Sequence, residues 1–476
     1  MAKKQTIVER VFGRGKVMMG RIITLWSVLF FAWGASWAQT EERIKRLDWN
    51  GIEVVWIEDN RLPLYNVVFY FADGALSDQV EGRGMVPSTE MMFSLLDRGT
   101  NSYSFKEISD NLEFYGTNYR PYVTHEYSTY SYSGLMKDII PASKMICHLF
   151  RDATYPRDEV DNAKQLAISG KNNMVRAPDA LASRVFRELS LSGSSYNYPF
   201  DGKIKDIKKI DRDELQTKLK YFNQKVYKKI YIAGPSDILQ IKNIINDECG
   251  WQGRGGRFIR SGNYRQSKRE KSEYYFIPVK GATAAYVRIG SLFGKENFFE
   301  LAPLELSSTF LGGGFTSKLM QEIRVKRGLS YGISAFAARQ KDYGRVGIVV
   351  STDNAKIPEL FSSLKDVFAE VLQGKFSERE FKAARGYLMG SYAFRFEQSS
   401  AYINQLLYLD HIGADASLVY QFPAMTKKTT KKEMVEVLKK LFSLNQQVIV
   451  VLGDPSLSTI LKPIGDFKAV DFNDFL

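Results

Sequence analysis

The chain repeats itself, and that constrains its fold more than any single motif. "YPRDEVDNAK" (155–164) and "FSEREFKAAR" (376–385) share an aromatic start, a central Glu159 or Glu380, an apolar residue, Ala163 or Ala384, and a basic end. "VYKKIYIAGP" (226–235) matches "QQVIVVLGDP" (446–455), and "DELQTKLKYF" before the first matches "EMVEVLKKLF" before the second. Near the start of each copy, "NVVFYFADG" (66–74) pairs with "YVRIGSLFG" (286–294). Four markers in one order at nearly constant offset imply a tandem duplication, so the chain must build two similar units. At 476 residues with 44% apolar content there is enough material for two cores.

Each copy reads as α+β. Segments of period two, "IEVVWIEDN", "YVTHEYSTYSYSG" and "YGRVGIVVST", predict antiparallel strands. Longer amphipathic stretches, "SFKEISDNLEFYG", "DALASRVFRELSL" and "NAKIPELFSSLKDVFAEVLQG", predict helices covering one sheet face. The expected organisation is a first domain over 39–251, a linker over 252–272 and a second domain over 273–476.

The N-terminus reads as a targeting segment. Basic residues up to Arg21 precede the apolar run "IITLWSVLFFAWGA" (22–35), too short to span a bilayer comfortably, and Ser36 and Ala38 have cleavage-site spacing. Residues 1–38 are therefore expected to be a secretory signal peptide, giving an exported chain without stable membrane insertion, in a Gram-negative periplasm. The leader holds six of the basic residues and one acid, so the formal charge of +13 falls to +8 without it. Much of the rest lies in "QGRGGRFIRSGNYRQSKREKS" (252–272), with seven basic residues and one acid. A nucleic-acid site would set such charge beside stacking aromatics on a folded platform; the Gly, Ser and Arg content reads instead as a solvated linker. Cys147 in "KMICHLF" and Cys249 after an Ile238, Ile241, Ile245 stripe read as small core residues rather than a bridge.

The most specific segment is "STFLGGGFTSKLMQEIRVKRGLSYGISAF" (308–336). Gly312, Gly313 and Gly314 can take backbone angles closed to other residues and let a peptide approach closely. Thr316 or Ser317 can cap the next helix, Leu319, Met320 and Ile323 give it an apolar face, Gly328 fits its stop, and Tyr331 opens a strand.

This string closely resembles the second-domain signature of the M16 zinc peptidases, the insulinase and mitochondrial-processing-peptidase family. The duplicated halves, the linker and the "FSEREFKAARGYLMGS" helix fit the same family, so the resemblance covers 40–476. It implies the M16/LuxS-like metallohydrolase fold. It also implies that Arg324 and Tyr331, seven residues apart, contact substrate and help stabilise the reacting carbonyl.

Catalytic members carry His-x-x-Glu-His on a first-domain helix entered through Gly and followed by Gly-Thr. Two His four apart on one helix face can bind one Zn²⁺ while the Glu activates the bound water. Aligned from Gly84, that motif falls on "PSTEM", so Pro87 and Met91 replace the ligands and Glu90 alone remains; aligned back from Gly99-Thr100 it falls on "EMMFS". The family's distal Glu falls near Ala163 or Gly170. His125, His148 and His411 are too scattered for ligand spacing, and no G-x-S-x-G elbow occurs.

The resemblance thus implies a non-catalytic subunit with no metal or cofactor of its own. Zinc would sit only in a catalytic M16 partner, and both chains would meet a peptide substrate. The competing reading is a scaffold or peptide-holding protein without a protease partner, and a third is a peptidase with a relocated metal site. No nucleic-acid partner is expected.

Overall fold

Six strands form the first sheet of the computed structural model: β1 (Ile44–Trp49), β2 (Ile52–Glu58), β3 (Leu64–Phe71), β4 (Asn118–Val123), β5 (Ser128–Leu135) and β6 (Lys228–Gly234). Their order is β1-β2-β6-β3-β5-β4. The second sheet holds β7 (Glu273–Pro278), β8 (Ala285–Gly294), β9 (Ile333–Arg339), β10 (Tyr343–Thr352), β11 (Val448–Gly453) and β12 (Phe467–Ala469), in the order β12-β7-β11-β8-β10-β9. Five strands of each sheet correspond in order, as a duplication requires; the sixth position is filled by β1 in one and β12 in the other. The structure describes residues 44–251, Gly262, Tyr264 and 269–476, so the signal-peptide reading of 1–38 lies outside the described residues.

The sheets are mixed, which corrects the expectation of antiparallel sheets. β2 runs parallel to β6, and β7 runs parallel to β11 and β12. In each half three strands of the sheet and several helices lie between these neighbours, β2 and β6 or β7 and β11, which gives the chain room to cross over. The segment "YVTHEYSTYSYSG" is also two strands, β4 and β5, joined at Thr124–Tyr127, where the Thr124 hydroxyl donates to the Tyr127 carbonyl.

Both faces of the central strands are buried. Val54 and Trp56 of β2, Phe69 and Phe71 of β3, and Ile230 and Ile232 of β6 pack under the first half's own helices. The alternate residues Val55, Ile57, Val68, Tyr70, Tyr231 and Ala233 join the core of the second half. What covers that face is the Ser399–Ile412 helix of the second half, lying on β6 and β3. Reciprocally, the Pro178–Ser190 helix of the first half lies on β8 and β11, burying Leu181, Ala182 and Val185 against Val448, Val450 and Leu452. The halves therefore exchange equivalent helices, each helix following one of the two matched segments 155–164 and 376–385.

Polar contacts fix both exchanges. Asp410 accepts from Tyr231 at 2.7 Å and Lys229 at 3.0 Å, while Arg288 of β8, almost wholly buried, donates to Asp179 at 2.6 Å and to Ser183 at 3.0 Å. His411 Nε2 lies 3.0 Å from Glu126, which also accepts from Tyr196 at 2.7 Å. Buried charges this well paired cost much to break singly, so they specify how the halves meet.

Two further expectations are corrected. Cys147 and Cys249 form a disulfide across 102 residues, joining the Ile139–Asp152 helix to the end of the Ile241–Glu248 helix. Both sulfurs are buried beside Phe150 and Trp251, so the core reading of their environment holds although they are bonded. Of the 252–272 linker, 252–261, 263 and 265–268 lie outside the described residues. Of the rest, some residues are anchored: Gly262 N donates to Tyr196 Oη at 3.0 Å, Tyr264 stacks on Tyr343 at 5.2 Å, and Arg269 Nε donates to Glu273 at 2.8 Å, while Glu270 and Lys271 are exposed.

Candidate functional site

The helix in question is short, Ser88–Ser94, entered through Pro87 and ending before Gly99, whose φ of 146° no side-chain-bearing residue readily adopts. Met91 and Met92 turn into the core of the first half. Pro87 has no donor atom and packs against Gly202, so closely that a Cβ there would lie 2.3 Å from the proline ring. Glu90 is the one carboxylate at the expected position. Burial and the charges of Asp201 and Asp78 raise its pKa, and the nearby Lys171 ammonium pulls it down.

Lys171 supplies what the alignment missed. It ends the Arg157–Asn172 helix, one residue beyond exposed Gly170, and is itself almost wholly buried. Its ammonium donates to Asp201 at 2.8 Å, and Asp201 also accepts two bonds from Arg184 Nη1 at 2.8 and 2.9 Å. Arg184 Nη2 donates to the Gly202 carbonyl at 2.9 Å, and Glu188 takes Lys203 at 2.9 Å. Two cations hold Asp201 below the ordinary carboxylate range although burial opposes them. An internal cation thus stands among the carboxylates beside Glu90. A proline, a core methionine and a lysine do not fit Zn²⁺. The sequence carried little signal for it, because Lys164 lies seven residues earlier on the same helix face and nothing local sets Lys171 apart.

The second predicted region is built differently. Gly312 ends the Leu301–Gly312 helix, where a Cβ would fall 2.1 Å from Ala335 N of β9, and a Cβ on Gly313 would fall 2.6 Å from Thr309 Cα. None of Gly312, Gly313 and Gly314 has positive φ. The triplet therefore admits the chain's own strand and helix, which corrects the expected special backbone angles. Thr316 and Ser317 make no cap, and the buried Ser317 Oγ has no partner among the described residues. The following turn, Met320–Val325, is π-helical; Gly328 ends it with φ 62° and donates to the Arg324 carbonyl at 3.0 Å. π-helical turns are rare and concentrate at functional sites.

Arg324 stands on that π-turn with its guanidinium 4.8 Å from the exposed ring of Phe315. Tyr331, just before β9, is 90% exposed and has no hydrogen-bond partner among the described residues. Tyr331 projects outward and Arg324 is half-buried against Phe315, with no hydrogen bond between the two. At the base of the turn, Glu322 gathers Lys318, Lys326 and Arg327, whose hydrogen bonds and charges hold it at about 2 against a smaller effect of burial than their sum.

The histidines have structural work. His125 Nε2 is 2.8 Å from the Tyr198 carbonyl, His148 lies near Asp152 and Glu248, and His411 sits in the interface of the halves. Among the described residues no three His, Cys, Asp or Glu gather at a spacing that could hold a metal ion, and no helix is long and apolar enough to cross a membrane.

Known proteins share this architecture. Residues 209–388 match the family model described as the peptidase M16 inactive domain. A Helicobacter pylori protein called non-peptidase homolog YmxG is 20% identical over 435 residues, covering 91% of this chain and 98% of that one. A Bacillus subtilis protein called uncharacterized zinc protease YmxG is 19% identical over 358 residues, covering 74% and 84%. Among solved structures, a peptidase M16 inactive domain from Pseudomonas fluorescens matches with TM-score 0.76 at 20% identity over 86% of this chain and 98% of that one. The periplasmic protease PqqL from Escherichia coli matches with TM-score 0.70 at 12% identity over 87% of this chain and 46% of its own. Residues 209–388 are thus similar to the M16 inactive domain, and both halves share the fold of solved M16 structures.

Proposed function

We propose that this chain is an exported, non-catalytic M16 subunit that binds an extended peptide and lends Arg324 and Tyr331 to the zinc-bearing site of a partner M16 chain. The observation that carries the reading is Tyr331, a phenol held 90% exposed with no partner among the described residues. A donor so placed is available to another chain. A guanidinium and a phenol can both donate to the oxyanion that forms when water attacks a peptide carbonyl, and preorganised donors of this kind contribute strongly to rate. The metal and its activated water belong to the partner, because Pro87, Met91 and Lys171 do not fit Zn²⁺ here. The leader pattern over 1–38 and the periplasmic relative PqqL support export.

The test is reconstitution with a His-x-x-Glu-His chain encoded in the same genome. The two should co-elute and hydrolyse peptides in a chelator-sensitive way faster than the sum of the separate chains. A stable complex without any gain in rate would favour a scaffold, and no complex would refute the subunit reading. Mass spectrometry of native material should find an N-terminus at Gln39.

A further inference from the structure

The Pro178–Ser190 helix crosses the second sheet mainly over β8 and β11, leaving β9 and β10 to its side. On those two strands Phe336 pairs with Gly347 and Ala338 with Arg345, so these residues share one face. Arg187 comes from the crossing helix, and Phe200 and His125 come from loops of the first half. His125, Arg187, Phe200, Phe336 and Arg345 are all partly exposed, as residues lining a crevice are.

Ring contacts run through this set. The Arg187 guanidinium lies 5.3 Å from the Phe200 ring, His125 is edge-on to Phe200 at 6.1 Å and to Tyr196 at 5.7 Å, Tyr196 meets Tyr343 at 5.0 Å, and the Arg345 guanidinium lies 5.8 Å from Phe336. Neither guanidinium has a hydrogen bond or ion pair among the described residues, and Arg345 Nε is buried without a partner. The nearby carboxylates are engaged elsewhere: Asp201 with Lys171 and Arg184, Glu126 with Tyr196 and His411, Glu188 with Lys203, and Asp342 with Lys295. Burial, followed by the charges of Arg184 and Arg345 against the pull of Asp201, lowers the pKa of Arg187. The ring chain from Arg187 ends at Tyr343, two residues from Arg345 on β10, so it links two partly desolvated cations that are unpaired among the described residues, and the planar fork of Arg suits a carboxylate.

We propose that Arg187 and Arg345 form an anion subsite between the halves that receives a carboxylate of a bound peptide. The proposal rests on the peptide-binding reading above. Phe336 lies five residues along the chain from Tyr331, about 16 Å if extended, so one peptide can reach both.

The experiment uses the full mature chain and one unstructured Ser/Gly/Leu peptide labelled at its N-terminus, made with a free C-terminal carboxylate, with an amidated C-terminus, and amidated with one internal Asp. Fluorescence anisotropy should show at least one acid-bearing form binding about ten- to a hundredfold more tightly than the neutral form, the range expected of a charge-assisted pair. In an Arg187→Met, Arg345→Met double variant that preference should vanish while neutral-peptide affinity stays. Arg345→Lys, which keeps the charge and loses the fork, should retain part of it and guards against misfolding of the double variant. Equal binding of all three peptides by the unaltered chain would overturn the subsite and leave peptide binding standing. Binding of none would overturn both. Inorganic phosphate binding that is lost in the double variant, without any peptide preference, would make this a phosphate site and equally refute the proposal.

Discussion

The two halves have the same strand order and exchange equivalent helices, yet they treat their polar residues in opposite ways. The first half turns its charges inward: Glu90, Lys171, Asp201 and Arg184 neutralise one another beneath the Ser88–Ser94 helix. The second half leaves Arg324 half-buried on a π-turn and turns Tyr331 outward from an adjoining loop, with Tyr331 free of intrachain hydrogen bonds among the described residues. On the proposed function, the duplicated scaffold has turned one site to its own stability and kept the other for a partner.

The inward network is the sharpest place to break this contrast. Arg184→Met takes one of two cations from half-buried Asp201, removes the neighbour of buried Glu188 and strips the Gly202 and Phe475 carbonyls of their donor, so we expect a loss of about 3–5 kcal/mol in urea unfolding. Tyr331→Phe in the second half should leave the same curve unchanged. Next in size is the disulfide, which only the first half has. Replacing Cys147 and Cys249 by Ala should cost about 2–4 kcal/mol, seen as a lower midpoint that added reductant no longer shifts.

Lys228 offers a gain. The repeat places it opposite Val448, and it is buried with only the Asn223 and Val226 carbonyls as acceptors among the described residues, at 2.8 and 3.0 Å. Burial lowers its pKa to about 7 from 10.5. The folded state then binds fewer protons than the unfolded chain between those values, so this residue's penalty is full below pH 7 and fades as pH rises toward 10.5. Lys228→Val, which copies the second half into the first, should stabilise by about 1–3 kcal/mol at pH 7 and by less at pH 10. A destabilised variant at pH 7 would show that the two carbonyl bonds outweigh the burial.

The smallest effect is expected from returning two ligands. Pro87→His with Met91→His should bind no stoichiometric zinc while Lys171 stays, whereas adding Lys171→Glu removes the cation and supplies a third donor. Metal analysis of both variants decides it, and zinc in the double variant would show that Lys171 does not govern the site.

The duplication, the Tyr343–Thr352 strand and the Gly328 stop were legible because each is written in local pattern. The helix exchange was not, since Val55 and Val54 look alike in sequence although one faces the other half. The disulfide escaped for the same reason: its cysteines lie 102 residues apart and only the fold brings them together. At the candidate site, the replaced ligands at Pro87 and Met91 could be read off a motif. Lys171 could not, because its meaning comes from Asp201, a loop residue with no fixed spacing to it.

On the proposed function, the Arg324 and Tyr331 pair serves a reaction whose metal lies in another chain. Steady-state peptide hydrolysis by the reconstituted pair, comparing Tyr331→Phe with the unaltered chain and checking by size that assembly is intact, tests it most directly. Loss of one aligned oxyanion donor predicts a fall in turnover of about 10²- to 10³-fold with the complex preserved. Turnover equal to that of the unaltered chain in an intact complex would contradict the account.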